Sequence, residues 1–249
     1  MTARILDGNE IAAGMREEMR REVAGLAARH RLVPGLAVVL AGDDPASLSY
    51  VKGKRRACEK IAVRSREHRL PGGVPQEELL ELIAALNADE TVHGILVQVP
   101  LPNGLDESLV LNAVDPGKDV DGLHPVNLGR MLRQEEGFLP CTPHGVVQML
   151  SRSGIEVAGK HVVVVGRSTL VGRPLANMLA QKGPGANATV TVCHTGTRDI
   201  GAHTRAADIL VAAADRPRII SADMVAEGAV VIDVGVVRVE DSTRRRGHR

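Results

Sequence analysis

His161-Val162-Val163-Val164-Val165-Gly166-Arg167-Ser168-Thr169-Leu170-Val171-Gly172-Arg173-Pro174 decides the fold of this chain. Residues 161–165 form a β-branched run with no polar face, the pattern of a strand covered on both sides in a parallel sheet. Gly166 ends that run, and residues 171–181 carry the periodicity of an amphipathic helix. A strand, a glycine turn and a helix N-terminus together present backbone N–H groups and a positive dipole end, which suits a pyrophosphate. Gly166 and Gly172 match the ends of the dinucleotide fingerprint, while Ser168 stands where its middle glycine belongs. An ordinary strand-to-helix turn uses the same residue types, so the turn alone leaves both readings open.

The alternation continues on either side. Further strand candidates lie at residues 35–40, 94–99, 188–193, 209–213 and 229–234, and amphipathic helices at 11–28, 45–60 and 76–86. The series predicts an α/β fold of two α/β domains, the second a Rossmann-like parallel-sheet nucleotide-binding domain. Residues 114–143 break the order: they are rich in Pro, Gly, Asp and Asn and carry little periodicity. Compact domains seldom carry an idle loop of that length. The expected division is therefore residues 1–141 and 142–249, with ligands in a cleft between the halves. Residues 1–8 read as a short strand and turn rather than a signal peptide.

Charge narrows the partners. The 31 basic and 30 acidic residues nearly cancel, at +1, and are interspersed, which argues against a nucleic-acid or membrane surface. The tail Arg244-Arg245-Arg246-Gly247-His248-Arg249 is the exception and reads as a disordered end. No stretch reaches the roughly 20 apolar residues of a membrane helix. Cys58, Cys141 and Cys193 lack metal-ligand spacing and read as reduced thiols of a cytoplasmic protein. Small molecules, or copies of the protein itself, are the expected partners.

The strand at 188–193 ends in Cys193-His194-Thr195-Gly196-Thr197-Arg198, where an NAD site usually places an acid for the ribose 2′-hydroxyl. Asp199 comes later than that position. Arg167, His194, Thr195 and Arg198 instead offer donors to a 2′-phosphate, which guanidinium binds in a planar fork. NADP is the expected cofactor; for Arg198 the competing reading is an exposed loop charge.

Tyr50 is the single tyrosine of a protein with one Phe and no Trp, and it precedes Lys54 by four residues, so ring and amine share a helix face. Tyr50-Val51-Lys52-Gly53-Lys54 is followed by Gly94-Ile95-Leu96-Val97-Gln98-Val99-Pro100-Leu101-Pro102, by Lys118-Asp119-Val120-Asp121-Gly122-Leu123-His124-Pro125, and by Pro140-Cys141-Thr142-Pro143. With the Gly166–Gly172 turn, this order of motifs closely resembles the methylenetetrahydrofolate dehydrogenase/cyclohydrolase family from Leu6 to Arg238. Short-chain dehydrogenases also use a Tyr-x-x-x-Lys pair, but there the nucleotide turn comes first. Here the pair precedes Gly166, which rejects that family.

The resemblance implies an enzyme of one-carbon metabolism with an outlet in purine biosynthesis. It would pass a hydride from 5,10-methylenetetrahydrofolate to NADP, and water would then open the methenyl product to 10-formyltetrahydrofolate. Lys54 matches the family's proton-handling lysine; an amine takes a proton at neutral pH only where desolvation or a nearby cation favours its uncharged form. Gln98, at the end of an apolar strand, would orient that amine without pairing it as a carboxylate does. Tyr50 would stack on the folate rings, and Asp121 would accept from the pterin's amino and ring N–H groups. Ser49, Pro100 and Leu101 would shape the substrate site. Gly166, Arg167, Ser168, Gly172, Pro174, His194, Thr195, Arg198 and Val236 would hold the cofactor. Asp119 and Asp121 lack the further ligands a metal needs, so no metal is expected. Relatives imply a homodimer joined through the cofactor domain.

Two departures from the family keep a second reading alive. Ala214-Asp215-Arg216-Pro217-Arg218 stands where relatives read Ala-x-Gly-x-Pro-Gly, so two glycines are missing and Asp215 brings a negative charge near bound phosphates. The sequence also stops at Arg249, where relatives continue, which implies a cofactor domain truncated at its C-terminus. The second reading is a degenerate folate- or nucleotide-binding relative that has lost one or both activities.

Overall fold

The computed structural model describes residues 3–214 and 216–235. It divides into two compact units, one ending at Leu139 and the other beginning at Pro140. Each is an open parallel sheet flanked by helices.

The first unit runs α1 (Gly8–His30), β1 (Gly35–Ala41), α2 (Pro45–Lys60), β2 (Arg64–Leu70), α3 (Gln76–Ala88), β3 (Gly94–Val97), α4 (Glu107–Asn112) and α5 (Pro125–Arg133). Its strands lie in the order β2-β1-β3, all parallel. The apolar run of β1 serves two cores because successive side chains point to opposite faces. Ala37 and Val39 join Ile95 and Val97 of β3 against Leu79, Ile83 and Leu86 of α3. Val38 and Leu40 join Leu96 against Val51 of α2.

The second unit runs α6 (Cys141–Arg152), β4 (His161–Val165), α7 (Gly172–Ala180), β5 (Thr189–Cys193), α8 (Ile200–Thr204), β6 (Ile209–Ala212) and β7 (Val230–Asp233), with strand order β5-β4-β6-β7, again parallel. Val163 and Val165 pack with Cys193, Ala207 and Leu210 on one face. Burial pushes the Cys193 thiol above its ordinary range.

Both sheets share one topological device. From the central strand, β1 or β4, the backbone moves to a neighbour on one side and later returns on the other, so the carboxyl ends of β1 and β3, and of β4 and β6, border a switch-point crevice.

Three local readings of the sequence need correction. β2, with residues Arg64-Ser65-Arg66-Glu67-His68-Arg69-Leu70, lies outside the strand candidates; it is a sheet edge whose charged side chains face water. Residues 3–7 form no strand, and Asp7 instead caps α1 by accepting from the amides of Asn9 and Glu10. The aperiodic segment 114–143 contains α5, started by Pro125 in the first turn and by His124, whose Nδ1 accepts from the Val126 amide at 3.1 Å.

Candidate active site

Gln98 follows β3 and prolongs its ladder, its amide donating to the Val39 carbonyl at 2.9 Å. Strand alternation gives Gln98 the face of Leu96, two residues earlier, and that face packs on α2 through Val51. Lys54, three residues past Val51, lies one helical turn further along α2. The outcome is a hydrogen bond across 44 residues of sequence: Lys54 Nζ donates to Gln98 Oε1 at 3.2 Å. Gln98 Nε2 donates to the Val99 carbonyl at 2.7 Å, which fixes the carboxamide with its oxygen toward the amine. The amide is buried at 9 % exposure, while Lys54 is half-buried.

Helix α2 is held at the carboxyl end of β1 by its cap. Asp44 accepts from the Ser47 amide at 2.8 Å, and Pro45 occupies the first turn. Hydrogen bonds from the Ser47 backbone and side chain hold the Asp44 carboxyl below its ordinary range. Tyr50, one turn before Lys54, is half exposed, a large ring on the open side of the helix beside exposed Ser49. Beyond Gln98, Pro100 is exposed and Leu101 half-buried, with the Leu101 amide donating to Glu107 Oε2 at 3.2 Å. No signal in the sequence marks Glu107 as anchor of this turn, because only the fold brings α4 back to it.

The first two residues of the Lys118–Asp121 motif carry structural bonds. Lys118 Nζ donates to the carbonyls of Leu86, Asn87 and Asp89, closing the C-terminal end of α3. Asp119 is buried and accepts from the His124 amide at 2.8 Å and from Asn127 Nδ2 at 2.9 Å. A parallel bridge sets Asp119 beside Ile95, and Gly94 leaves the room Val120 needs, since a Cβ there would stand 2.4 Å from Val120 Cγ1. Asp121 lies half-buried in the turn closed by the Gly122 amide on the Asp119 carbonyl at 3.1 Å. Among the described residues, no three His, Cys, Asp or Glu side chains cluster as metal ligands.

In the second unit, the turn after β4 is built by close backbone approach. Gly166 has φ +137°, and a Cβ on it would stand 2.0 Å from the Ala213 carbonyl oxygen. A Cβ on Gly172 would stand 2.1 Å from the Gly166 oxygen. Only glycine fits either position. Ser168 Oγ accepts from the amides of Val171 and Gly172 at 3.1 and 3.4 Å, so the serine in place of the middle glycine helps to cap α7. Pro174 is buried in the first turn of α7, where its missing N–H is unneeded, and Arg167 is exposed.

After β5, His194, Thr195 and Arg198 stand in a tight turn in which His194 Nδ1 accepts from the Gly196 amide at 3.0 Å. Thr195 and Arg198 are exposed. Asp199 is committed elsewhere, its carboxylate accepting from the Ala202 amide at 3.0 Å to cap α8. The strand end thus carries hydroxyl, imidazole and guanidinium groups, and its nearest acid is engaged. These features suit a dinucleotide with a phosphorylated ribose: glycines where backbone must approach the pyrophosphate, and cations where a 2′-phosphate would sit. Val236 and Asp215 lie outside the described residues.

Two open parallel sheets, each with polar groups gathered at its carboxyl-end crevice and the second with a dinucleotide-type turn, define a two-domain α/β enzyme architecture of the nucleotide-dependent class. Residues 6–121 match the catalytic domain, and residues 140–248 the NAD(P)-binding domain, of the tetrahydrofolate dehydrogenase/cyclohydrolase family. The chain belongs to that family. It is 62% identical over 235 residues to the bifunctional protein FolD of Dehalococcoides mccartyi (strain CBDB1), covering 94% of this protein and 79% of that one. Among solved structures, the bifunctional FolD methylenetetrahydrofolate dehydrogenase/cyclohydrolase of Campylobacter jejuni superimposes with a TM-score of 0.91 at 44% identity, over 95% of this protein and 83% of that one. The Trypanosoma brucei methylenetetrahydrofolate dehydrogenase-cyclohydrolase, in complex with NADP and an inhibitor, gives 0.93 at 38% identity, over 100% and 84%.

Proposed function

We propose that this protein oxidises 5,10-methylenetetrahydrofolate to 5,10-methenyltetrahydrofolate with NADP and hydrolyses the product to 10-formyltetrahydrofolate. The observation that carries the reading is the Lys54–Gln98 hydrogen bond beside the switch-point crevice of the first unit. Family membership over both domains supports it and gives no support to a degenerate relative.

The substrate needs an aromatic surface, an acceptor for the pterin's N–H groups and a group that manages the proton of a water. Tyr50 supplies the first, worth about 1 kcal/mol for a stacked aromatic pair. Asp121 supplies the second through charge-assisted hydrogen bonds. Ser49 and the Pro100–Leu101 turn shape the site around them. Lys54 supplies the third. Water adds to the methenyl carbon, forming a C–O bond, and its proton passes to the Lys54 amine; collapse of the adduct breaks one C–N bond, and the ring nitrogen recovers a proton. Gln98 keeps the amine aimed at this water, and as a neutral amide it leaves the amine free to accept a proton.

When bound, NADP would supply the hydride acceptor for oxidation of the methylene carbon to the methenyl level. Gly166 and Gly172 let the backbone and the start of α7 approach the pyrophosphate, with Ser168 and Pro174 shaping that turn. Arg167, His194, Thr195 and Arg198 take the 2′-phosphate. Folate chemistry is thereby assigned to residues 1–141 and NADP binding to 142–249. The reading extends to a cytoplasmic homodimer that supplies formyl groups to purine biosynthesis. Sedimentation of the purified protein and fractionation of cells test those last parts.

The purified protein, given methylenetetrahydrofolate and NADP, is expected to form NADPH together with the methenyl compound, which then decays by hydrolysis. Turnover with neither NADP nor NAD overturns the reading; turnover far better with NAD overturns the assignment of the β5 end.

A further inference from the structure

Asn103-Gly104 is the one Asn-Gly pair in the sequence, and it lies in the loop between the Pro100–Leu101 turn and α4. Both residues are exposed. They occupy the centre of a four-residue turn closed by the Leu105 amide on the Pro102 carbonyl at 3.3 Å, with Gly104 at φ +101°. Nothing stands within 4 Å of the place a Cβ would take on Gly104. Among the described residues, the Asn103 carboxamide and the Gly104 amide engage no hydrogen-bond partner.

We propose that Asn103 is a site of spontaneous covalent modification: it deamidates through a cyclic imide and places a new carboxylate beside the folate site. The Gly104 amide nitrogen, once deprotonated, attacks the Asn103 Cγ. A new C–N bond closes a five-membered ring, the bond from Cγ to Nδ2 breaks, and ammonia leaves. Water then opens the ring at either carbonyl, giving aspartate or isoaspartate. No oxidant or reductant is needed, and glycine is the neighbour that hinders ring closure least, since it brings no side chain to the attacking nitrogen.

Asn87, Asn112 and Asp121 are guarded against the same reaction. Asn87 is locked by both ends of its amide, donating to the Ala113 carbonyl at 2.8 Å and accepting from the Asp115 amide at 2.9 Å. Asn112 ends α4, and the amide that would attack it, that of Ala113, is bonded to the Leu109 carbonyl at 3.1 Å. Asp121-Gly122 has the sequence for the same chemistry, but the Gly122 amide is held by the Asp119 carbonyl.

Isoaspartate adds a methylene to the backbone, so the Pro102–Leu105 turn loses its register and the Leu101–Glu107 contact beyond it shifts. This consequence for catalysis rests on the folate reading; the chemistry at Asn103 does not.

The test is to incubate the purified full-length protein at mildly alkaline pH and sequence its tryptic peptide of residues 70–118 by mass spectrometry, with isoaspartyl methyltransferase labelling. The expected result is loss of the amide at Asn103, matched by ammonia release and faster at higher pH, while Asn87 and Asn112 in the same peptide stay intact. Asn103→Gln should abolish it. Retention of the Asn103 amide, or equal loss at Asn87 or Asn112, overturns the proposal. In the kinetic arm, aged wild type should show a raised KM for methylenetetrahydrofolate and aged Asn103→Gln should not. An unchanged KM in fully converted protein overturns the consequence, whereas a fresh preparation without activity would end the folate reading and leave the mass result standing.

Discussion

Replacing Gln98 with glutamate changes the charge next to Lys54 with almost no change of shape. A carboxylate oxygen at the position of Oε1 would stand 3.2 Å from the amine. At that separation the attraction is about 5 kcal/mol for an effective dielectric of 20 and about 1 kcal/mol in bulk water. The pair falls between those limits, because residue 98 is buried while Lys54 is half-buried. An opposite charge at this distance favours the charged form of the amine. A charged amine cannot take the water's proton. Methenyltetrahydrofolate hydrolysis at neutral pH should therefore fall at least about tenfold, with the pH–rate profile moved to the alkaline side. Gln98→Met, which removes the hydrogen bond without adding charge, should lose rate and leave the profile where it was. Spectrophotometric hydrolysis assays across pH, with thermal unfolding as the control for folding, read both effects. A Gln98→Glu variant that hydrolyses at the wild-type rate with an unmoved profile would refute the assignment of Gln98.

Gly172→Ala places a methyl group where the Gly166 oxygen already stands, so overpacking of about 1–3 kcal/mol must be relieved by shifting the phosphate turn; NADP affinity measured by calorimetry should drop while Lys54 chemistry on the methenyl compound persists. Leu210→Ala empties the centre of the second sheet and should lower unfolding stability by about 2–5 kcal/mol in urea titrations. Asp44 has a folded-state pKa below its unfolded one, so its contribution is present above the unfolded value and is lost as pH falls through the folded one; Asp44→Ala should destabilise the protein at neutral pH and flatten part of the acid limb of its stability curve. Equal stability of the two proteins across that limb would contradict the capping role.

Strands are legible where both faces are covered. β1, β3, β4 and β6 announce themselves as unbroken apolar runs because helices pack on each side. β2 carries Arg64, Arg66, Glu67 and Arg69, and its pairing with β1 comes from backbone hydrogen bonds that leave no mark in hydrophobic pattern. α5 is hidden by Pro125 and Gly129, although Pro125 after a capping His124 is a helix start that local chemistry permits. The members of the candidate site are individually legible: Lys54 by its spacing from Tyr50, Gln98 as a polar residue ending an apolar strand, Gly166 and Gly172 by the turn they bound. Their pairing is not. The Lys54–Gln98 contact depends on the parallel register of β3 against β1 and on which face of β3 meets α2, facts that emerge only when the sheet is assembled. The same holds for Ser168, whose capping hydroxyl requires the geometry of the turn, and for Asp119, whose buried bonds to His124 and Asn127 mark it as a support of the Asp121 turn.

The most direct test of the proposed chemistry is Lys54→Met, which keeps the length and apolar stem of the side chain and removes the one atom proposed to take the proton. With thermal unfolding and NADP binding unchanged, hydrolysis of 5,10-methenyltetrahydrofolate is expected to fall by about 10²-fold or more, the contribution of a positioned acid–base group. Hydrolysis at the wild-type rate would contradict it.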